Sequence, residues 1–237
     1  KPIITPRFVP SCTSELMTGL AKLAKEYDVP VQSHLSENHG EIDWVASLHP
    51  ESSNYTDVYY EHHLMGTVPT VMAHCIHLSD VEMDRMAETQ TMVSHCPYSN
   101  VNLSSGIAPI RKLIERNIPI GLGSDISGGH IVSMAKVLTE AIGLSKMKWA
   151  EVDPNYAPLT LSEAFYMATK GGGQFFGHVG SFEKGYELDA LIIDDTSLFD
   201  PNERSLEERL ERWLYVGDDR HIIERYVAGR VVPSPKG

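Results

Sequence analysis

Val31-Gln32-Ser33-His34-Leu35-Ser36-Glu37-Asn38 is the stretch from which the rest of this chain can be read. Its first five residues alternate as an extended segment does, so that Val31, Ser33 and Leu35 share one face while Gln32 and His34 share the other. The segment then delivers a glutamate three residues after the histidine. Such a pair suits metal-assisted hydrolysis, because imidazole nitrogen binds zinc well and an unligated carboxylate nearby can move protons. Three further apolar runs finish in the same way: Thr70-Val71-Met72-Ala73-His74, Thr91-Met92-Val93-Ser94-His95 and Pro119-Ile120-Gly121-Leu122-Gly123-Ser124-Asp125. Four runs that each end on a ligand or an acid form a pattern that chance rarely produces.

Helical patterns lie between these runs. Leu16, Leu20, Leu23, Ala24 and Tyr27 recur at helical spacing after the cap candidates Ser11 and Thr13, and Pro30 stops them. Ser79-Asp80-Val81-Glu82 has the form of a capping box ahead of Met83, Met86 and Ala87. Further helices are predicted over 107–116 and through Ile131, Met134, Ala135, Leu138 and Ile142, after a loop opened by Gly128 and Gly129. Upstream, Ile3-Ile4-Thr5-Pro6-Arg7-Phe8 reads as a strand that stops at Pro6, with Arg7 and Phe8 just past its end. Residues 39–68 read mostly as a long surface connection, apart from a helix over 41–48.

Alternating strand and helix predict an α/β fold of parallel strands joined by helical crossovers. In such sheets ligands gather at the carboxyl ends of the strands, where His34, His74, His95 and Asp125 fall. About five strand–helix units can be counted, whereas a closed barrel of this kind takes about eight. Either the sheet is open or the chain begins partway through a barrel.

Thr160-Leu161-Ser162-Glu163 opens another helix, carrying Ala164, Phe165, Met167 and Ala168 up to the breaker Gly171-Gly172-Gly173. No Lys-Ser/Thr follows those glycines, so they read as a turn and not as a phosphate loop. The character then changes. A turn-rich stretch at 180–185 precedes a buried strand, Ala190-Leu191-Ile192-Ile193; an amphipathic helix runs through Leu206, Leu210, Trp213 and Leu214, and 226–232 reads as a hairpin. The expected organisation is residues 1–178 with the strand–helix units, then 179–237 with strands of a small β domain and an intervening helix.

With 237 residues and 42% hydrophobic content, the chain is long enough to bury a substantial core. A formal net charge of −12 and a pI near 5.3 disfavour nucleic-acid polymers and anionic membranes as partners, since no basic stripe is available to neutralise phosphates. No apolar run approaches the roughly 20 residues needed to cross a bilayer, so the expected location is the cytoplasm. Cys12, Cys75 and Cys96 include no Cys-x-x-Cys pair and read as reduced thiols. A small, uncharged substrate fits this balance.

Taken together, Pro6-Arg7-Phe8, Ser33-His34-Leu35-Ser36-Glu37-Asn38, Met72-Ala73-His74, His95-Cys96-Pro97-Tyr98-Ser99-Asn100 and Gly121-Leu122-Gly123-Ser124-Asp125 resemble the motifs of the amidohydrolase superfamily, and within it the guanine deaminases, in the right order. The resemblance runs essentially end to end. It implies a partial TIM-type β/α barrel, with a small flanking β domain contributed by the C-terminus. It also implies a single zinc ion held by His34, Asp125 and two histidines of a His-x-His motif on the first barrel strand. No His-x-His precedes Pro6, and the expectation is that the chain corresponds to the C-terminal part of a longer enzyme.

In the chemistry that the resemblance implies, hydroxide attacks the amino-bearing carbon of guanine and ammonia leaves to give xanthine. Asp125 would take the proton from the metal-bound water; Glu37 would protonate the neighbouring ring nitrogen and assist departure of ammonia; His74 would orient the hydroxide and contact the substrate. Arg7 would donate to the purine oxygen and Phe8 would stack on the ring. His95 either stands behind these groups or shapes the loop through Pro97 and Asn100. A homodimer is also implied.

Read without the resemblance, Arg7 is a surface cation and Phe8 a core residue. The cytidine-deaminase type of zinc site is excluded, because His-x-Glu followed by Pro-Cys-x-x-Cys does not occur. Two alternatives stay open: a hydrolase of another aminated or halogenated heterocycle, and a metal-free scaffold with the same barrel. His77, which directly precedes a helix cap, reads as solvent-facing.

Overall fold

The computed structural model describes residues 2–198 and 200–233. Its first long element, α1 (Ser14–Tyr27), starts where Thr13 accepts a hydrogen bond from the Leu16 amide and ends at Asp28, which takes the left-handed conformation. Met17, Ala21 and Ala24 form its buried face, while Leu16, Leu23 and Tyr27 are exposed. The apolar spacing therefore located the helix and, through Leu20 and Ala24, part of its inner face. The sheet begins with β1 (Val31–Leu35).

After β1 come α2 (His39–Leu48) and α3 (Tyr55–Glu61), capped by Asn38 and Asn54. The expected surface connection over 39–68 is thus corrected. Tyr55, Thr56, Val58 and Tyr59 are all buried, so α3 is a core helix despite its polar and aromatic composition. Its polar atoms find partners inside: the Tyr55 hydroxyl donates to Glu41 Oε1 at 2.6 Å, and Thr56 donates through Oγ1 to Glu82 Oε1 at 3.2 Å.

The chain then runs through β2 (Thr70–His74), α4 (Asp80–Glu88), β3 (Met92–His95), α5 (Pro97–Asn102), α6 (Ile110–Glu115) and β4 (Ile120–Leu122). Among the described residues these four strands form a parallel sheet in the order β1-β2-β3-β4. Strict sequential order is the winding of a barrel, in which helices cover one face; a doubly wound sheet would reverse direction partway. The α/β reading as a partial barrel is borne out.

The expected strand at Ile3–Phe8 is not one. Ile4 forms a single parallel bridge to Val31, and Arg7 offers its carbonyl to the His34 amide. Pro6, buried between them, has no N–H to continue a ladder. The fifth strand–helix unit is therefore present only as an extended segment lying along the edge of β1.

Helix α7 (Met134–Glu151) buries Val137, Leu138, Ala141 and Ile142. Next, α8 (Leu161–Tyr166) opens on the Thr160–Glu163 capping box, and its Glu163 pairs with Arg111 at 2.7 Å. The Arg111 guanidinium beside Glu163 holds that carboxyl down to about 2. The glycines at 171–173 do not break this helix. It widens into a π turn at Met167–Gly171 and stays helical through Gly173. A Cβ on Gly121 would lie 2.9 Å from Gly172 Cα, so the glycines let this helix lie directly against β4.

The C-terminal segment forms β5 (Ala190–Ile193), α9 (Leu206–Val216), β6 (Ile222–Val227) and β7 (Arg230–Val231). The strands make an antiparallel sheet ordered β5-β6-β7, with the expected hairpin. Strand β5 is not buried as expected, since Leu191 is 51% and Ile192 43% exposed. Trp213 and Leu214 of α9 join the main core, and Lys136 of α7 donates to the carbonyls of Leu214 and Tyr215 at the end of α9. Residues 199 and 234–237 of this segment lie outside the described residues. Among the described residues no helix is long and apolar enough to cross a membrane.

Glu82 gathers four donors while buried: the amide and hydroxyl of Ser79 on one oxygen, the amide and hydroxyl of Thr56 on the other. Glu82→Ala is expected to lower unfolding free energy by about 2–3 kcal/mol, from a lost cap and buried donors left unpaired. Urea titration followed by circular dichroism checks this, and a change below about 0.5 kcal/mol, the scale of an ordinary surface substitution, would contradict it.

Candidate functional site

Parallel register brings the predicted residues together. His34 pairs with Ala73 and Leu35 with His74 across β1 and β2, while His95 pairs with Leu122 across β3 and β4. Neighbouring strands lie about 4.8 Å apart, so the endings of β1, β2 and β4 form one edge. There the backbone turns sharply: Ser36, His74, Cys75 and Asp125 all have positive φ, at 50°, 72°, 52° and 43°.

His34 is oriented through its backbone-facing nitrogen. Nδ1 donates to the Arg7 carbonyl at 2.5 Å, which leaves the Nε2 lone pair free. The His34 carbonyl accepts from the Tyr59 hydroxyl at 2.8 Å, and that hydroxyl also lies 2.7 Å from Ser33 Oγ. The His34 and His74 rings stack with centroids 5.4 Å apart.

His74 is buried, and its Nδ1 donates to Asn100 Oδ1 at 3.0 Å. With that nitrogen committed, Nε2 is the end that can take or give a proton. It lies 3.6 Å from Glu37 Oε2 and 3.9 Å from Asp125 Oδ2. Both carboxylates thus flank one imidazole nitrogen while their side chains keep 17% and 29% of their surface open to solvent. Paired acids around an imidazole can pass protons between bound molecule and solvent.

Arg7 is exposed, with its guanidinium 5.5 Å from the centroid of the Phe8 ring; among the described residues it pairs with no carboxylate. Phe8 is half-buried and meets Trp44 edge-on at 6.1 Å. His95 is buried with no hydrogen-bond partner for Nδ1 among the described residues. Burial, and then the neighbouring His74, lower its pKa to about 4. Cys75 and Cys96 stay protonated thiols, Cys96 being pushed up to about 12 by burial.

A catalytic zinc site takes three or so protein donors of nitrogen, oxygen or sulfur. The free Nε2 of His34, oriented from behind by a carbonyl, fits such a donor. So does the Asp125 carboxylate, which among the described residues receives no hydrogen bond. Gly128 keeps room beside it, because a Cβ there would fall 2.6 Å from Asp125 Oδ2. Among the described residues no group of three or more His, Cys, Asp or Glu side chains could hold a metal unaided. His34 and Asp125 are two donors of a kind compatible with such an ion.

Several supporting groups were not singled out from the sequence. Asn100 belongs to the motif His95-Cys96-Pro97-Tyr98-Ser99-Asn100, and Pro97 in the first turn of α5 places it one turn on. Tyr59, Glu41 and Ser105 gave no signal, for their partners lie 25, 14 and 68 residues away. His77 is only partly solvent-facing: its Nε2 donates to the Ser105 carbonyl at 2.8 Å and its ring packs on His39 at 4.0 Å.

Sequential parallel strands with histidine and acidic residues at their carboxyl ends are the arrangement of the β/α-barrel class. The chain belongs to the Amidohydrolase family, whose sequence model matches residues 1–232. It is 44% identical to the guanine deaminase of Dictyostelium discoideum over 98% of this chain and 53% of that protein, and 42% identical to that of Mus musculus over 98% and 54%. The crystal structure of guanine deaminase from C. acetobutylicum with bound guanine superposes with a TM-score of 0.95 at 55% identity, covering 98% of this chain and 55% of that one. The chain spans about half the length of the curated relatives it matches.

His95 makes stability pH-dependent. Its folded pKa of about 4 lies below the ordinary 6.5, so between these values the unfolded chain binds a proton that the folded one does not, and stability falls as pH drops through that window. From pH 7 to pH 5 the metal-free protein is expected to lose about 2 kcal/mol more than its His95→Gln variant. Urea unfolding of both at the two pH values checks this; equal losses would contradict a neutral His95.

Proposed function

We propose that this protein takes part in the zinc-dependent hydrolytic deamination of guanine to xanthine and ammonia. The observation that carries the reading is the pair of carboxylates, Glu37 and Asp125, on either side of His74 Nε2 at 3.6 and 3.9 Å, beside a histidine whose Nε2 is free. The similarity to guanine deaminases over nearly the whole chain supports it.

His34 and Asp125 would hold a single zinc ion together with ligands from outside this pair. Bound there, zinc supplies the acidity that lowers the pKa of a coordinated water to about 7. Asp125 accepts the proton lost when water adds to the amino-bearing carbon. Glu37 delivers its proton to the neighbouring ring nitrogen and then assists departure of the amine by taking the proton of the added hydroxyl as the carbonyl forms, while the proton held by Asp125 passes to the amine, so the products are xanthine and ammonia and both carboxyl groups are restored. His74, held by Asn100, binds the substrate side of that exchange through Nε2. Arg7 donates to the purine oxygen, and Phe8, braced by Trp44, stacks on the ring. Residues 1–178 form the barrel part and 179–237 contribute to the small β domain. The working form is a cytoplasmic homodimer, the commonest symmetry of soluble oligomers.

Ammonia release from guanine by the zinc-loaded protein tests the reading directly. Glu37→Gln is expected to lower kcat by about 10²-fold or more while zinc content stays unchanged, the scale of lost general acid–base help. A folded wild type with zinc held by a complete ligand set that releases no ammonia from guanine removes guanine as the substrate. Arg7→Ala is expected to raise KM for guanine about tenfold or more, with kcat changed far less, as suits loss of a hydrogen bond to a charged donor. Unchanged kinetics would take Arg7 out of the site.

A further inference from the structure

Glu37 has two carboxylate oxygens in unlike surroundings. Oε2 faces His74 Nε2 at 3.6 Å, whereas Oε1 accepts a hydrogen bond from Ser105 Oγ at 2.9 Å. Ser105 is buried, 5% exposed, in the loop between α5 and α6, and it comes from 68 residues downstream. A carboxylate can turn about its last torsion with little preference between its two oxygens. A fixed donor on one of them settles which oxygen faces the reacting partner.

Ser105 is itself held. His77 Nε2 donates to its carbonyl at 2.8 Å, and the His77 ring is backed by His39. The next residue, Gly106, has φ +128° and passes so close that a Cβ would lie 3.2 Å from His77 Cε1. Only glycine takes that backbone conformation without strain. On the far side of the loop, Lys148 donates to the Ile107 carbonyl at 2.8 Å. Glu37 is fixed from its other end too, since its amide donates to Glu41 Oε2 at 3.1 Å, and the amides of Ile76 and His77 donate to the Ser36 carbonyl at 3.2 Å. Three loops, after β1, after β2 and after α5, are thereby tied together around one carboxyl group.

We propose that Ser105 is a positioning residue for Glu37, and that His77 acts through Ser105: the serine hydroxyl occupies Oε1 so that Oε2 alone presents the proton toward His74 and the substrate. This rests on the reading of Glu37 as the proton carrier. No bond to Ser105 is made or broken, and its hydroxyl stays a donor whether Glu37 is charged or neutral. The consequence is a loss of rate without a loss of binding, because the ground-state contacts of the substrate lie elsewhere.

The test compares zinc-loaded wild type with Ser105→Ala, Ser105→Thr and His77→Phe, measuring kcat and KM for guanine, zinc content and thermal midpoint, and solving crystal structures of wild type and Ser105→Ala. Ser105→Ala is expected to lower kcat about tenfold to a hundredfold, the worth of one hydrogen bond to a charged group. KM and zinc content should stay within about twofold of wild type, a distinction that loss of folding alone would not produce. Ser105→Thr, which keeps the hydroxyl, should restore most of the rate, and His77→Phe should show a smaller loss of the same kind. In the alanine crystal the Glu37 carboxylate should be turned or spread over two orientations.

An unchanged kcat in Ser105→Ala overturns the proposal, as does a loss that follows the thermal midpoint and is not restored by threonine. If wild type does not act on guanine, the substrate reading fails separately. The crystals then decide: a displaced Glu37 carboxylate upholds the role of Ser105, and an unmoved one overturns it.

Discussion

The hydrogen-bond ladder that pairs His34 with Ala73 and Leu35 with His74 is the constraint on which this site rests. Side chains alternate along a strand, so a slip of one residue would turn His34 toward the helices, where Val31, Ser33 and Leu35 are packed without access to solvent. An imidazole there would be buried among apolar groups at a cost that only a hydrogen-bonding partner could offset. The ladder is reinforced on its open edge by the Arg7 carbonyl. It accepts from the His34 amide and from the His34 ring, and it lies within 3.3 Å of the Ser33 hydroxyl. One extended segment thereby fixes both the position of β1 and the direction of the histidine ring.

Strain gathers where the chemistry does. Ser36, His74, Cys75 and Asp125 all sit in the left-handed region just where the strands end. Such conformations cost roughly 1–3 kcal/mol each and persist only where the surroundings over-determine them. Here they do: Cys75 donates to the Leu35 carbonyl, the Ile76 and His77 amides to Ser36, and the Gly129 amide to Asp125. The turns hold the carboxyl groups of Glu37 and Asp125 close to one imidazole.

Buried acids away from the strand ends complete the frame. Glu41 accepts from the Tyr55 hydroxyl and the Glu37 amide, and Glu82 joins the start of α4 to α3. Each links two helices through donors that would otherwise be unpaired inside the protein, where such vacancies are most costly. The exposed pairs of Arg116 with Asp80 and Asp84 span similar distances in the chain but are screened by water and contribute far less.

Local signals in the sequence were sufficient for much of this. The alternation of Val31–Leu35, the capping boxes at Ser79 and Thr160 and the histidines at strand ends are encoded within a few residues each, and all appear where they were expected. Short-range patterning also gave the parallel strands, while their order β1-β2-β3-β4 came from the tertiary structure. It failed where composition and environment part company. Polar, aromatic α3 lies in the core because Glu41, Glu82 and Ser33 satisfy it, and the glycines at 171–173 stay helical because β4 leaves no room for side chains. Pro6 limits an apparent strand to one bridge. By itself the sequence determined which residues can carry acid, base and ligand chemistry, because those properties belong to side chains. Only the tertiary structure decided how they are held: that His77 bonds to the Ser105 carbonyl, that Asn100 fixes the His74 ring, and that Ser105 meets Glu37 across 68 residues. Those contacts arise from loops brought together by the packing of separate strand–helix units, and no local pattern encodes them.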